Sequence, residues 1–132
     1  EIRAEIKTLG MENIIILAGK SDHIVDEMNK SRLFVMSSDY EGMSNALLEA
    51  ICVGLPALST DVSGAKDLIK EGVNGYVVPV DDEAAFTGAL KRLLSSPDLM
   101  MEMGIKSKAM ASNFEEENIV DQWEYVIKNV VR

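Results

Sequence analysis

The sequence predicts an open, parallel α/β sheet flanked by helices, on three observations. First, Ile14-Ile15-Ile16-Leu17-Ala18 is a continuous, β-branched apolar run of the kind found in a strand covered on both faces. Second, three more short strand-like runs follow at residues 33–36, 57–60 and 76–78, each separated from the last by a segment of helical spacing, which is the order of a parallel sheet with crossover helices. Third, the breaks between segments carry the residues that turns require: Gly10, Gly19, Gly54 before Leu55-Pro56, and Asn74-Gly75.

Residues 2–9 have helical spacing with Ile2, Ile6 and Leu9 on one face, and Gly10 closes that helix. Asn13 introduces the strand at 14–18, which Gly19 ends. Ser21 or Asp22 is placed to cap a helix over 23–30, with Ile24, Val25 and Met28 turned inward. Residues 33–36 form the second strand. A polar loop with Asp39, Glu41 and Gly42 follows, then a helix from about Asn45 that ends at Gly54, where Pro56 blocks continuation. Residues 57–60 are the third strand. The loop at 61–64 leads to a short helix at about 65–70, and the Asn74-Gly75 turn leads to the fourth strand. Asp81 or Asp82 caps a helix over 83–94 with Phe86, Leu90, Leu93 and Leu94 inside, and Ser95-Ser96-Pro97 breaks it. Helices at about 98–111 and 115–131 complete the chain; the last places Ile119, Trp123, Val126, Ile127 and Val130 on one stripe.

The chain has 132 residues, the size of one domain with a single core, and its 47% hydrophobic and 27% charged residues describe a soluble globular composition without a membrane-spanning run. The charged start Glu-Ile-Arg-Ala-Glu-Ile-Lys does not read as a signal peptide. A single cysteine, Cys52, forms no intrachain disulfide and reads as a buried structural thiol, in keeping with a cytoplasmic location. A net charge of −9 argues against nucleic acid and against docking to an anionic membrane surface. The eight methionines read as helix packing.

In a parallel sheet of this kind ligands bind beyond the carboxyl ends of the strands, here residues 19–21, 37–42, 60–64 and 79–81. The stretch 37–60 stands out. Between Ala46 and Val53 every side chain is apolar or small except Glu49, so the helix is expected to be buried around most of its circumference and Glu49 to need a polar partner. Glu41 lies in the loop before the helix, beside Gly42, and the free N–H groups of the helix N-terminus favour an anion such as a phosphate. The same spacing also fits a solvated Glu49 and a Glu41 that merely supports the helix dipole. There is no Gly-x-Gly-x-x-Gly, Walker loop, Gly-x-Ser-x-Gly or metal-spaced Cys or His cluster, and the single histidine, His23, reads as solvated or capping.

The ordered set Ser37-x3-Glu41-Gly42-x6-Glu49-Ala50-x3-Gly54-x-Pro56, then Thr60-Asp61-x2-Gly64 and Gly72-x-Asn74-Gly75, resembles the C-terminal, nucleotide-sugar-binding domain of the retaining group 1 glycosyltransferases, family 4, of the GT-B fold. The likeness extends from about residue 9 to the C-terminus, where Asn113-Phe114-Glu115 through Trp123-Glu124 is similar to the family's last helix. It implies a Rossmann-like sheet and a parent enzyme that moves a sugar from a nucleotide diphosphate sugar to an acceptor in glycan biosynthesis, with retention and without a bound metal or other cofactor. By motif position Glu41 is the catalytic-site acid, contacting hydroxyls of the donor sugar. Gly42, Met43, Ser44 and Asn45 cradle sugar and diphosphate, and Glu49 accepts hydrogen bonds from the ribose diol. Gly19, Lys20 and Ser21 lie by the base, and Gly64 lines the cleft. Where the family commonly has a glutamate, this chain has Asp67.

The resemblance also implies what lies outside this chain: the family domain's first two strands, an arginine and a lysine that meet the diphosphate, and the N-terminal domain that binds a saccharide or lipid acceptor and brings peripheral membrane association. A full enzyme of this kind is roughly two and a half to three times this length, so the chain is expected to be an N-terminally truncated donor domain, inactive alone. With the family's strand order, 3-2-1-4-5-6, the run 14–18 reaches 33–36 only through the two absent strands, which predicts a homo-oligomer or a rearrangement at that edge. The readings in competition are a nucleotide- or nucleotide-sugar-binding module without transfer, and a plain scaffold with solvated acids.

Overall fold

The computed structural model describes residues 1–115, 118–120, 122, 124 and 128. Its centre is a sheet of three parallel strands, β1 (Phe34–Met36), β2 (Ala57–Thr60) and β3 (Gly75–Val78), in the order β1-β2-β3. Phe34 pairs with Ala57 and Ala57 with Gly75, so a single row runs across all three strands. The helices in chain order are α1 (Ile2–Thr8), α2 (Ile24–Lys30), α3 (Asn45–Val53), α4 (Ala65–Leu68), α5 (Glu83–Leu94) and α6 (Pro97–Met110), followed by a 3₁₀ turn at Ala111–Phe114.

The two-residue alternation of β2 divides the core. Ala57 packs with Leu47 and Ile51 of α3, Leu68 of α4, and Val62, Ala65 and Ile69. Leu58 faces the other way, onto Tyr76, Val78, Leu93 of α5 and Met100 and Met103 of α6. The result is three layers, with α3 and α4 on one face of the sheet and α5 and α6 on the other. Backbone contact is close at two points. A Cβ on Gly75 would lie 2.0 Å from the Ala57 carbonyl oxygen, and one on Gly104 would lie 2.7 Å from that of Gly54, so each glycine is required by packing. Gly75 thus belongs to the strand; the turn before it is closed by Asn74, whose buried amide accepts from the Lys70 N–H at 2.7 Å and donates to the Leu68 carbonyl at 3.1 Å.

The ends of α3, α5 and α6 follow the expected rules, whereas α2 has His23 at its N-cap position with no side-chain cap, so neither Ser21 nor Asp22 caps it. Ser44 caps α3, Asp82 caps α5 and Ser96 caps α6, each side chain accepting a backbone N–H three residues on. Gly54 ends α3 in the left-handed conformation at φ 92°. Pro97 occupies the first turn of α6 as well as ending α5's reach.

Four expectations fail. Residues 14–18 form no strand: Ile14 and Ile15 both donate to the Met11 carbonyl in a turn, and Ile14 and Ile16 are 77% and 84% exposed. The sheet therefore has three strands, because a parallel strand exists only where a neighbour completes its ladder and none of the described residues does so here. Ile2, Leu9, Ile24 and Val25 are exposed, and of the two N-terminal helices only Ile6 and Met28 are buried, Met28 against Ala50 and Leu55. Leu94 is exposed as well; Leu93 takes the inward position on α5. Finally, α3 buries only Leu47, Ala50 and Ile51 and leaves Ala46 and Glu49 exposed, so Glu49 bears no burial penalty. One side of α3 suffices to cover the sheet; Leu48, Cys52 and Val53 are half-covered beside it, and Ala46 is small enough to be left exposed. Of the stripe proposed for the last helix, Trp123, Val126, Ile127 and Val130 lie outside the described residues, and Ile119 is exposed.

Candidate functional site at the carboxyl ends of the strands

All three strands point the same way, so the loops that leave them collect at one end of the sheet. The loop after β1 carries Glu41. It is half-buried, and its Oε1 accepts from Ser38 Oγ at 3.0 Å. The Ser38 carbonyl in turn accepts from Thr60 Oγ1, at the end of β2, at 2.6 Å. The loop after β2 folds against the same segment: a Cβ on Gly64, where φ is 79°, would stand 3.4 Å from Met43 Cα and 3.5 Å from the Gly42 carbonyl oxygen. Glu41, Gly42, Met43 and Gly64 are thereby brought together, although Glu41 and Gly64 are far apart in sequence.

Directly after this loop Ser44, itself buried, accepts from the Leu47 N–H at 3.3 Å. That leaves the N–H groups of Asn45 and Ala46 without a hydrogen-bond partner among the described residues, at the positive end of a nine-residue helix. Glu49 stands one turn along from Asn45 on the same exposed stripe, and its carboxylate has no hydrogen-bond partner among the described residues. Gly42, Met43 and Asn45 are exposed.

The loop after β3 adds Asp81, the one non-glycine residue at positive φ among the described residues, at 63°. With Ser37, Asp39, Thr60, Pro79, Asp82, Glu83 and Phe86 it lines an open, acidic hollow of about 350 Å³ across the strand ends. Asp82 is committed there to capping α5 through Ala85. Among the described residues no group of three His, Cys, Asp or Glu converges as a metal site.

Gly19, Lys20 and Ser21 are not joined to this cluster by any hydrogen bond among the described residues. They are exposed, Gly19 has φ 71°, and Ser21 Oγ accepts from the His23 N–H at 3.0 Å. His23 is also exposed, at the start of α2 with Asp26 3.8 Å away. Asp67 is exposed on α4. Thr60 belongs to the sequence motif, but its bond to Ser38 has no counterpart in the sequence reading. Nothing in a one-dimensional pattern marks a hydroxyl as bonded to a carbonyl 22 residues away.

The family model for glycosyl transferases group 1 matches residues 1–110. Over 132 residues the chain is 32% identical to an exopolysaccharide phosphotransferase of Streptomyces coelicolor, covering 98% of this chain and 14% of that protein. Over 128 residues it is 30% identical to the N-acetyl-alpha-D-glucosaminyl L-malate synthase of Bacillus anthracis, covering 96% of this chain and 34% of that one. The chain thus spans 14% and 34% of the length of these two relatives. Its fold is similar to that of HepE from Anabaena, a structure in complex with UDP, with a TM-score of 0.85 and 22% identity over 96% of this chain and 35% of that one. The three parallel strands and their flanking helices are the Rossmann-like sheet of such neighbours. The chain belongs to the glycosyl transferases of group 1.

Proposed function

We propose that this chain is the C-terminal, donor-binding domain of a retaining glycosyltransferase that takes its sugar from a nucleotide diphosphate sugar. The observation that carries this reading is the convergence at the strand ends. A half-buried, braced carboxylate (Glu41) lies beside a backbone cradle, Gly42 to Asn45, which runs into a helix N-terminus with unused N–H groups. In this reading Glu41 accepts hydrogen bonds from hydroxyls of the donor sugar, and the Asn45 and Ala46 amides meet the diphosphate, where fixed dipoles stabilise the charge that grows on the leaving group. Glu49, exposed one turn further along, accepts both hydroxyls of the ribose. A carboxylate suits a vicinal diol because its two oxygens only accept. Gly64 closes the far wall, and Gly19 to Ser21 lie toward the base. The chemistry assigned here uses no metal. Acceptor binding, and the cations that offset the chain's net charge of −9 at the diphosphate, are assigned to parts of a longer protein.

Titrating the purified chain with UDP, GDP and ADP tests the reading. One diphosphate is expected to bind, and Glu49→Ala to weaken it by about tenfold, the loss of one or two charge-assisted hydrogen bonds. Undiminished binding by the variant removes the ribose role, and no binding of any of the three removes the donor site. The UDP in the Anabaena complex makes UDP the first choice. A sugar-transfer assay on a longer protein that contains this chain then separates transfer from binding alone.

A further inference from the structure

We propose that Ser38 and Thr60 are positioning residues for Glu41, through which the end of β2 sets how the donor's sugar is held; this rests on the donor-site reading above. A glutamate in a loop has three rotatable side-chain bonds, and holding its carboxylate in one orientation has an entropic cost. Here the orientation is fixed in two steps. Thr60, 6% exposed and anchored in the central strand, donates through Oγ1 to the Ser38 carbonyl at 2.6 Å. This bond ties the first turn of the loop to β2, a strand paired on both sides. Ser38 Oγ then donates to Glu41 Oε1 at 3.0 Å, while no side-chain hydrogen bond among the described residues engages Oε2, which stays available to a sugar hydroxyl. A carboxylate can accept several donors at once, so the brace does not compete with the ligand. Preorganisation of this kind lowers the ordering cost of binding for the group that touches the sugar and leaves the nucleotide contacts alone.

The inference separates from a merely structural role because it predicts a change in preference. In Ser38→Ala the affinity for UDP-glucose is expected to fall several-fold relative to that for UDP, with UDP itself unchanged. Thr60→Val, which keeps the β-branched shape, is expected to do the same, and Ser38→Thr and Thr60→Ser to restore the original ratio. Side-chain NMR order parameters of Glu41 in the free chain are expected to drop in Ser38→Ala and Thr60→Val and recover in the hydroxyl-keeping variants. Unchanged order parameters in both overturn the brace without reference to any ligand. If Glu41→Ala loses the UDP-glucose preference while Ser38→Ala keeps it, the positioning role is wrong and the donor-site reading stands. If Glu41→Ala also keeps the preference, or the unsubstituted chain binds neither probe, the donor-site reading falls and this inference with it.

Discussion

Residues 14–17 and residues 57–60 are runs of equal length with opposite fates. The first, Ile-Ile-Ile-Leu, is the more apolar and the richer in β-branched side chains, yet it lies exposed and forms no ladder. The second, Ala-Leu-Ser-Thr, has little strand propensity of its own and is the fully buried centre of the sheet. The difference is the neighbours. β2 has β1 on one side and β3 on the other, so every residue from Ala57 to Ser59 is paired on both sides. Its small side chains at 57 and 59 leave room for α3, and Leu58 fills the layer under α5 and α6. Strand propensity measures how well side chains fit a pleated, half-covered surface, and it has no effect where the surface is missing.

The central strand is most sensitive at Gly75. Gly75→Val is expected to abolish folding, since its Cβ would stand 2.0 Å from the Ala57 carbonyl oxygen and that oxygen is backbone in the central strand. Circular dichroism of the expressed variant checks it. Next is a direct pair. Leu58→Ala is expected to cost about 2–5 kcal/mol in urea denaturation, while Ile16→Ala stays within about 0.5 kcal/mol, although the two substitutions remove equal amounts of side chain. A substantial destabilisation by Ile16→Ala would show that the run is buried in solution. Ser44→Ala, which removes the α3 cap at the mouth of the candidate site, is expected to cost about 1 kcal/mol in the same measurement. The smallest effect on stability, and the sharpest test of the exposed run, is the Ile14→Lys, Ile16→Lys double variant. It is expected to leave the denaturation midpoint unchanged while lowering self-association in sedimentation, because an exposed apolar stretch of this size is a sticking point. Equal association with and without the lysines would remove that role.

Much of the body from residue 34 onward is legible from local pattern. Asp82 is read as a cap and Ser96 as part of a breaker by residue type, and Gly54 before Leu55-Pro56 as a helix stop, because each acts on backbone groups within four residues of itself. The candidate site is legible in part. Glu41, Gly42 and Glu49 stand out by type and spacing, although Glu49 is exposed and not set into a buried helix. Small apolar residues such as Ala46 and Cys52 read as core in a sequence but tolerate exposure or half-exposure in the fold. Ser38 is silent in the sequence, and Thr60 is marked there only as a motif position, since the significance of both is a contact between two strand ends.

Local pattern alone settles the order of segments from residue 34 onward, the ends of α3, α5 and α6, and the pair of acids that mark the candidate site. All of these depend on interactions between near neighbours along the chain, or on residue types at set spacing. The tertiary structure alone decided which apolar run becomes a strand, which face of α3 is covered, and how the Glu41 carboxylate is held. Those outcomes depend on partners distant in sequence: a parallel ladder, a packed layer and a cross-strand hydrogen bond each need a second segment in place before the first acquires its conformation.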